Sequence, residues 1–253
     1  MTLKQLTDSY LPILLQQMDG VKLMNRIDTK FVTTADMLVP LLDMARNDYY
    51  IQDVDGERNM IYETTYYDTE ACDMYCRHQH GHVNRQKIRF RTYVLSGQQF
   101  LEVKTKNNHG RTKKKRIAVA DMNLAGNEKR EFLSHYLCYD ADSLVPHMHN
   151  FFNRMTLVNK SMTERLTIDT SLKFHNLRTD SDFETGPLVI VELKRDSHVF
   201  SPALEILRRL HIHPHGFSKY CMGAAMTNGA LPVNRFKEKL RDVEKILNTH
   251  IWI

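Results

Sequence analysis

Arg85, Lys87, Arg89 and Arg91 fall on every second residue, with Ile88 and Phe90 between them. Alternate side chains of a β-strand share a face. One face therefore carries four cations in a row and the other is apolar. Like charges lined up on a strand repel, so the arrangement calls for a strongly anionic species on that face. Forked guanidinium groups and point-charge ammonium groups suit phosphate oxygens, and phosphate binding is the chemistry this spacing points to. The charge distribution agrees. Between Arg77 and Arg116 there are 12 Lys/Arg and a single acid, Glu102, while the rest of the chain carries 23 Lys/Arg against 29 Asp/Glu. The formal net charge of +5 thus comes from one basic block on an otherwise acidic chain of 253 residues.

The same design recurs along the chain. Arg26, Asp28 and Lys30 alternate with Ile27, Thr29 and Phe31; Glu102, Lys104 and Lys106 alternate with Leu101, Val103 and Thr105. Lys114 and Arg116, Arg165, Thr167 and Asp169, and Glu192 and Lys194 sit in similar patterns. One such strand reads most simply as half-exposed, with its charged face in water. Solvated faces usually mix Thr, Ser, Gln, Glu and Lys, whereas these favour Arg and Lys with isolated acids. Repeated over five or six strands, the pattern predicts an α+β fold built on a closed, mainly antiparallel barrel of eight strands. Its interior would be charged and its apolar outside covered by helices. Eight strands close around a lumen that can hold one small ligand. So many buried cations need an anionic partner, and a polyphosphate chain with water and metal would supply one. Glu102 reads as ion-paired, with metal ligation as its second role. For Glu192, ion pairing and metal ligation stand as equal alternatives, since hard divalent ions are often held by one or two carboxylates plus phosphate oxygens.

The elements that position these residues follow from periodicity and turn chemistry. Helical spacing predicts a helix over Leu3–Met18, another over Ala35–Ala45 capped by Thr34, a short one over Ala71–Arg77, and helix through 121–150. Strands are predicted at 26–32, 59–69, 83–95, 99–106, 111–119, 151–159, 164–173 and 188–195. Ser96-Gly97-Gln98 and Asn107-Asn108-His109-Gly110 are the turns of successive hairpins. Three helices close the chain: from Pro202 to about His211, 216–229 and 232–248. With no internal repeat, low-complexity stretch or linker, residues 1–253 read as a single domain.

Composition narrows the class. Hydrophobic residues make up 42% of the chain, enough for a sizeable core, and no apolar run approaches the ~20 residues that span a bilayer. The first residues, with Asp8 among them, do not form a signal peptide. Four cysteines without a CxxC read as free thiols in a reducing cytoplasm. The expected location is cytoplasmic, with the inner face of a membrane as the second placement. No GxxxxGK[ST] or HExxH is present. His211, His213 and His215 flank a proline and read as a surface loop, as do His78, His80 and His82. Nucleic acid is not the expected partner, because the cations alternate on strands with acids among them rather than forming one basic helix or loop.

Read together, RIDTKF (26–31), YYDT (66–69), KIRFR (87–91), LEVKTK (101–106), GRTKKKR (110–116), NRMTL (153–157), RLTIDTSL (165–172), VIVELK (189–194) and GFSKY (216–220) resemble one family. It is the catalytic domain of the vacuolar transporter chaperone (VTC) polyphosphate polymerases, within the triphosphate tunnel metalloenzymes. The resemblance implies an eight-stranded tunnel in which ATP or another NTP donates its γ-phosphate to a growing polyphosphate chain, with Mn²⁺ or Mg²⁺ required. It implies that Arg89, Arg91, Lys104, Arg154 and Lys219 act on the reacting phosphates. Lys30, Arg77, Lys114, Arg165 and Ser218 would bind substrate, joined by Lys87, Arg116 and Lys194 from the strand pattern. Glu192 would hold the metal. The fungal members carry a lysine where this chain has Gly216. They also carry an inositol-phosphate-sensing domain and membrane helices, without which this chain is expected to act alone or to recruit a membrane-protein partner. Two rival readings keep the same tunnel: a metal-dependent triphosphatase releasing orthophosphate, and a non-catalytic polyphosphate-binding module.

Overall fold

Hydrogen bonding joins the alternating segments into one large sheet. The computed structural model describes residues 2–20, 26–108, 112–196 and 199–251. His109, Gly110 and Arg111, and the side chain of Arg26, lie outside the described residues. Eight strands form a continuous path: β2 (Arg26–Thr34), β11 (Leu188–Asp196), β9 (Glu164–Asn176), β8 (Leu144–Asn159), β4 (Met60–Thr69), β5 (Arg85–Tyr93), β6 (Gln98–Lys106) and β7 (Thr112–Val119). Every pairing along it is antiparallel. Three short strands attach to it. β3 (Tyr49–Gln52) pairs with β8, β1 (Pro12–Ile13) pairs parallel with β3, and β10 (Ser181–Glu184) pairs with β9.

The closed eight-stranded barrel expected from the sequence is not formed. Among the described residues the sheet has eleven strands and stays open, with no ladder joining β2 to β7. Both edges are occupied or blunted. On β2, Phe31 forms a bridge with Pro214, and the His215 amide donates to the Lys30 carbonyl at 2.7 Å. On β7, Lys113, Lys114, Lys115 and Arg116 are all exposed, and such charge on an edge discourages further pairing. The sheet nevertheless curls. Lys104 on β6 lies in the field of Lys30 on β2 and Glu192 on β11, from the far end of the path.

Seven α-helices surround the sheet: α1 (Leu3–Asp8), α2 (Ala35–Ala45), α3 (Asp73–Gln79), α4 (Asn127–Tyr136), α5 (Pro202–Arg209), α6 (Lys219–Thr227) and α7 (Lys237–Leu247). None is long and apolar enough to cross a membrane. The apolar faces of the strands turn outward, under helices. Phe31, Val191, Leu193, Leu166, Ile168 and Leu157 are buried with residues of α1, α2 and α5. Ile88, Phe90, Leu101 and Val103 are buried with Phe132 and Leu133 of α4. A third cluster lies on the concave side, where α6 and α7 pack against Met60, Tyr62, Tyr66 and Phe152.

Two expected helices are shorter in the structure. The helix at the start ends at Asp8, where the Ser9 hydroxyl donates to the Leu6 carbonyl. Pro12 and Ile13 then join the sheet, and Leu15–Gly20 form a 3₁₀ helix. The predicted helix through 121–150 is confined to α4, because the segment from Leu144 pairs with β4 and, from Met148 on, with β9 as well. Strand pairing outweighs the local helical pattern there.

Candidate active site

Charged residues of β2, β5, β6, β7, β8, β9 and β11 point into the concavity, where β4 contributes Thr64 and Tyr66 in register with Arg91 and Arg89. Lys87, Lys104 and Lys114 stand side by side across β5, β6 and β7. Lys30, Glu192, Thr167 and Thr156 form a row across β2, β11, β9 and β8. Two acids hold part of this positive charge. Arg89 donates from Nε and Nη2 to Glu102 Oε2 at 2.8 and 2.6 Å, and Lys114 donates to Oε1 at 3.0 Å. Arg154 donates from Nε and Nη2 to the two oxygens of Asp169 at 2.6 and 2.8 Å, and Lys219 also donates to Asp169. Burial pushes both carboxyls up, but Arg89 beside Glu102 and Arg154 beside Asp169 outweigh it, so both stay ionised far below the usual range.

Arg91 differs. It is 7% exposed, and no carboxylate lies within ion-pair distance of it among the described residues. Among the described residues its one polar contact is a 3.5 Å approach of Nε to the Thr64 hydroxyl. Its guanidinium sits over the Tyr62 and Phe152 rings, as does that of Arg154. Aromatic faces stabilise cations by about 0.5–2 kcal/mol each, which helps to keep two guanidiniums and Lys219 close together in the absence of an anion. Tyr66 reports the field. Burial raises its phenol, yet Arg89 and Arg91 pull it below its ordinary value.

Two lysines titrate near neutrality. Burial, with Lys30 next, brings Lys104 down to about 7. Burial brings Lys219 down to about 8 despite Asp169. A bound polyanion favours the charged form of each. The affinity for tripolyphosphate should therefore fall as pH rises from 7 to 9, by up to roughly tenfold per unit for each proton taken up. Lys104→Arg should flatten the Lys104 part of that profile in a calorimetric titration; a wild-type affinity unchanged across this range would contradict the assignment.

At the other side of the concavity, Lys194 donates to Glu192 Oε1 at 2.6 Å and to Asp28 Oδ2 at 3.3 Å. An ammonium already lies between two carboxylates here, and Glu192 is kept ionised by Lys30 and Lys194 against the effect of burial. This donor set fits a hard divalent ion completed by phosphate oxygens. No group of three or more His, Cys, Asp or Glu arranged to hold a metal ion occurs among the described residues, so phosphate oxygens or water would have to complete such a shell. Lys30 donates to the Phe217 carbonyl at 2.9 Å. Lys87 donates to the hydroxyl of Ser218, the N-cap of α6, at 2.7 Å.

The remaining predicted residues lie at the rim or beyond it. Arg165 is in register with Lys194 and Asp28. Arg116 is exposed and lies 4.4 Å over the Phe100 ring. Arg77 is exposed on α3 and donates to the Asn84 carbonyl at 3.2 Å. Sequence reasoning gave no role to Asp169, Asp28, Tyr66 or the Tyr62–Phe152 pair. For Asp169 a signal existed: it shares a strand face with Arg165 and Thr167.

A model of the VTC domain matches residues 25–228. No match is found among curated proteins. Among solved structures, a putative adenylate cyclase from Bacillus halodurans superposes with a TM-score of 0.50 at 11% identity, over 77% of this chain and 96% of that one. A putative adenylate cyclase from Vibrio parahaemolyticus gives 0.46 at 12% identity, over 79% and 97% of the two chains. A putative adenylyl cyclase from Hippeastrum, described as having a dominant triphosphatase activity, gives 0.47 at 14%, over 83% and 99%. The first of these likenesses carries the fold and nothing more. The domain match spans most of the chain and contains every strand of the concave face, and the chain belongs to the VTC domain family.

Proposed function

We propose that the protein is a polyphosphate polymerase that transfers the γ-phosphate of ATP, or another NTP, to the end of a polyphosphate chain held in the concavity. The observation that carries this reading is the surplus of inward-facing cations. Glu102 and Asp169 engage Arg89, Lys114, Arg154 and Lys219, while Arg91 and Lys104 have no carboxylate within ion-pair distance among the described residues. A chain of phosphates supplies the missing negative charge in the matching geometry.

Phosphoryl transfer asks the protein mainly to position reactants and stabilise charge. Arg91 and Arg154 would donate to the transferring group next to the Tyr62–Phe152 ring pair, with Lys219 beside them. Ser218, Lys87 and Lys30 would orient the neighbouring phosphates. The nucleophile, a terminal phosphate of the acceptor, is already ionised at neutral pH and needs no dedicated base. A divalent ion, Mn²⁺ or Mg²⁺, would be held by Glu192 with Asp28 beside it and would neutralise phosphate oxygens. Glu192→Gln should therefore raise the metal concentration needed for half-maximal activity by about tenfold or more; an unchanged metal titration would remove Glu192 from that role.

The test of the transfer is to label ATP at the α- or the γ-phosphate and follow label into acid-insoluble polymer. Only γ-label should enter. Hydrolysis is the second reading, favoured by the open seam between β2 and β7, through which water can reach the concave face. It predicts γ-label in orthophosphate alone.

A further inference from the structure

Beyond Lys87 the positive charge does not stop. Arg85 lies two residues further along β5 on the same face, and Lys239 of α7 and Arg235, just before α7, approach from the other side. Arg235 and Arg85 depress the Lys239 ammonium after burial has done so, which places the three cations in one field. None of them has a carboxylate within ion-pair distance among the described residues, whereas Lys245 on the same helix is paired with Asp242. A second observation concerns Gly216. A Cβ built on it would come 3.1 Å from Lys239 Nζ, closer than such contacts ordinarily are. Its backbone does not need glycine for a left-handed conformation, since only Gly56, Gly81, Gly97, Gly126 and Gly186 are recorded at positive φ. The ammonium at the end of the flexible Lys239 side chain thus lies against the backbone at Gly216. One residue on, the Phe217 carbonyl holds Lys30, and Ser218 holds Lys87.

We infer that Lys239, lying against Gly216, forms with Arg85 and Arg235 an outer subsite for the distal phosphates of a polyphosphate chain. The inference rests on the proposed binding of polyphosphate in the concavity and extends it to α7. Arg91 and Arg85 are six residues apart on one strand, about 20 Å. A triphosphate engaged at Arg91 cannot reach Arg85, whereas a long chain can. Lys239 is thus a determinant of chain length preference and not a group at the reacting phosphate.

The experiment is calorimetric binding of tripolyphosphate and of long-chain polyphosphate to wild type, Lys239→Ala, and the double variant Lys239→Ala with Gly216→Lys. Lys239→Ala should weaken long-chain binding about tenfold, the size of one charge-assisted hydrogen bond, and leave tripolyphosphate unchanged. The double variant has room at 216 once the ammonium is gone, and its lysine should restore long-chain affinity. Equal binding of the long chain by wild type and Lys239→Ala overturns the subsite and leaves the proposed function standing. Equal loss for both ligands also overturns it, since Lys239 would then act through the fold. A wild type that binds neither ligand overturns the subsite and the polyphosphate reading together.

Discussion

Arg91→Ala is expected to lower the rate of phosphoryl transfer by about a hundredfold or more, as loss of one preorganised transition-state donor does, while the fold survives. The expectation comes from how Arg91 is held. Removing it orphans no buried carboxylate, because Glu102 keeps Arg89 and Lys114, and Asp169 keeps Arg154 and Lys219. It also relieves repulsion from Arg89 and Arg154. The loss of packing on Tyr62 and Phe152 works in the opposite sense. The melting temperature should therefore change little while turnover collapses. Steady-state kinetics beside a thermal melt separates the two, and full activity in this variant would remove Arg91 from the reaction.

Asp169→Ala should show the reverse balance. Asp169 is 2% exposed and receives a forked pair from Arg154 as well as Lys219. Its removal leaves two buried cations uncompensated, beside Arg91, at a cost of about 3–5 kcal/mol. For a chain of this size the melting temperature should drop by roughly 10 °C. The same variant should regain part of that loss when tripolyphosphate is added, because the ligand then supplies the missing negative charge. An unchanged melting temperature would show that the Arg154–Asp169–Lys219 group is not the buried unit described here. A drop that no phosphate reverses would show that the concavity does not take the anion.

The parts of this architecture that sequence made legible are those written in a period of two. Arg85 to Arg91, Glu102 to Lys106 and Glu192 to Lys194 reveal their common face without any knowledge of their neighbours, and β2, β5, β6, β7 and α2 lie where alternation and turn chemistry place them. What escaped depends on distant partners. β1 and β3 are too short to show a period and exist because β3 pairs onto β8 and β1 onto β3. The strand at 144–150 is held by β4 along its length and by β9 from Met148 on. The seam between β2 and β7 stays open because Pro214 and His215, nearly two hundred residues along the chain, reach the β2 edge first. At the site, Asp169 resembled one more alternating charge until Arg154 and Lys219 were seen to converge on it. Arg77 lies in the basic block in sequence but on the exposed side of α3 in space.

The most direct test of the central claim is to incubate the purified protein with ATP and Mn²⁺, resolve the products on a gel stained for polyphosphate, and assay orthophosphate in parallel. The account predicts a ladder of chains that is absent in Arg91→Ala. Orthophosphate without chains would contradict the polymerase reading in favour of hydrolysis, and neither product would contradict catalysis by this chain alone.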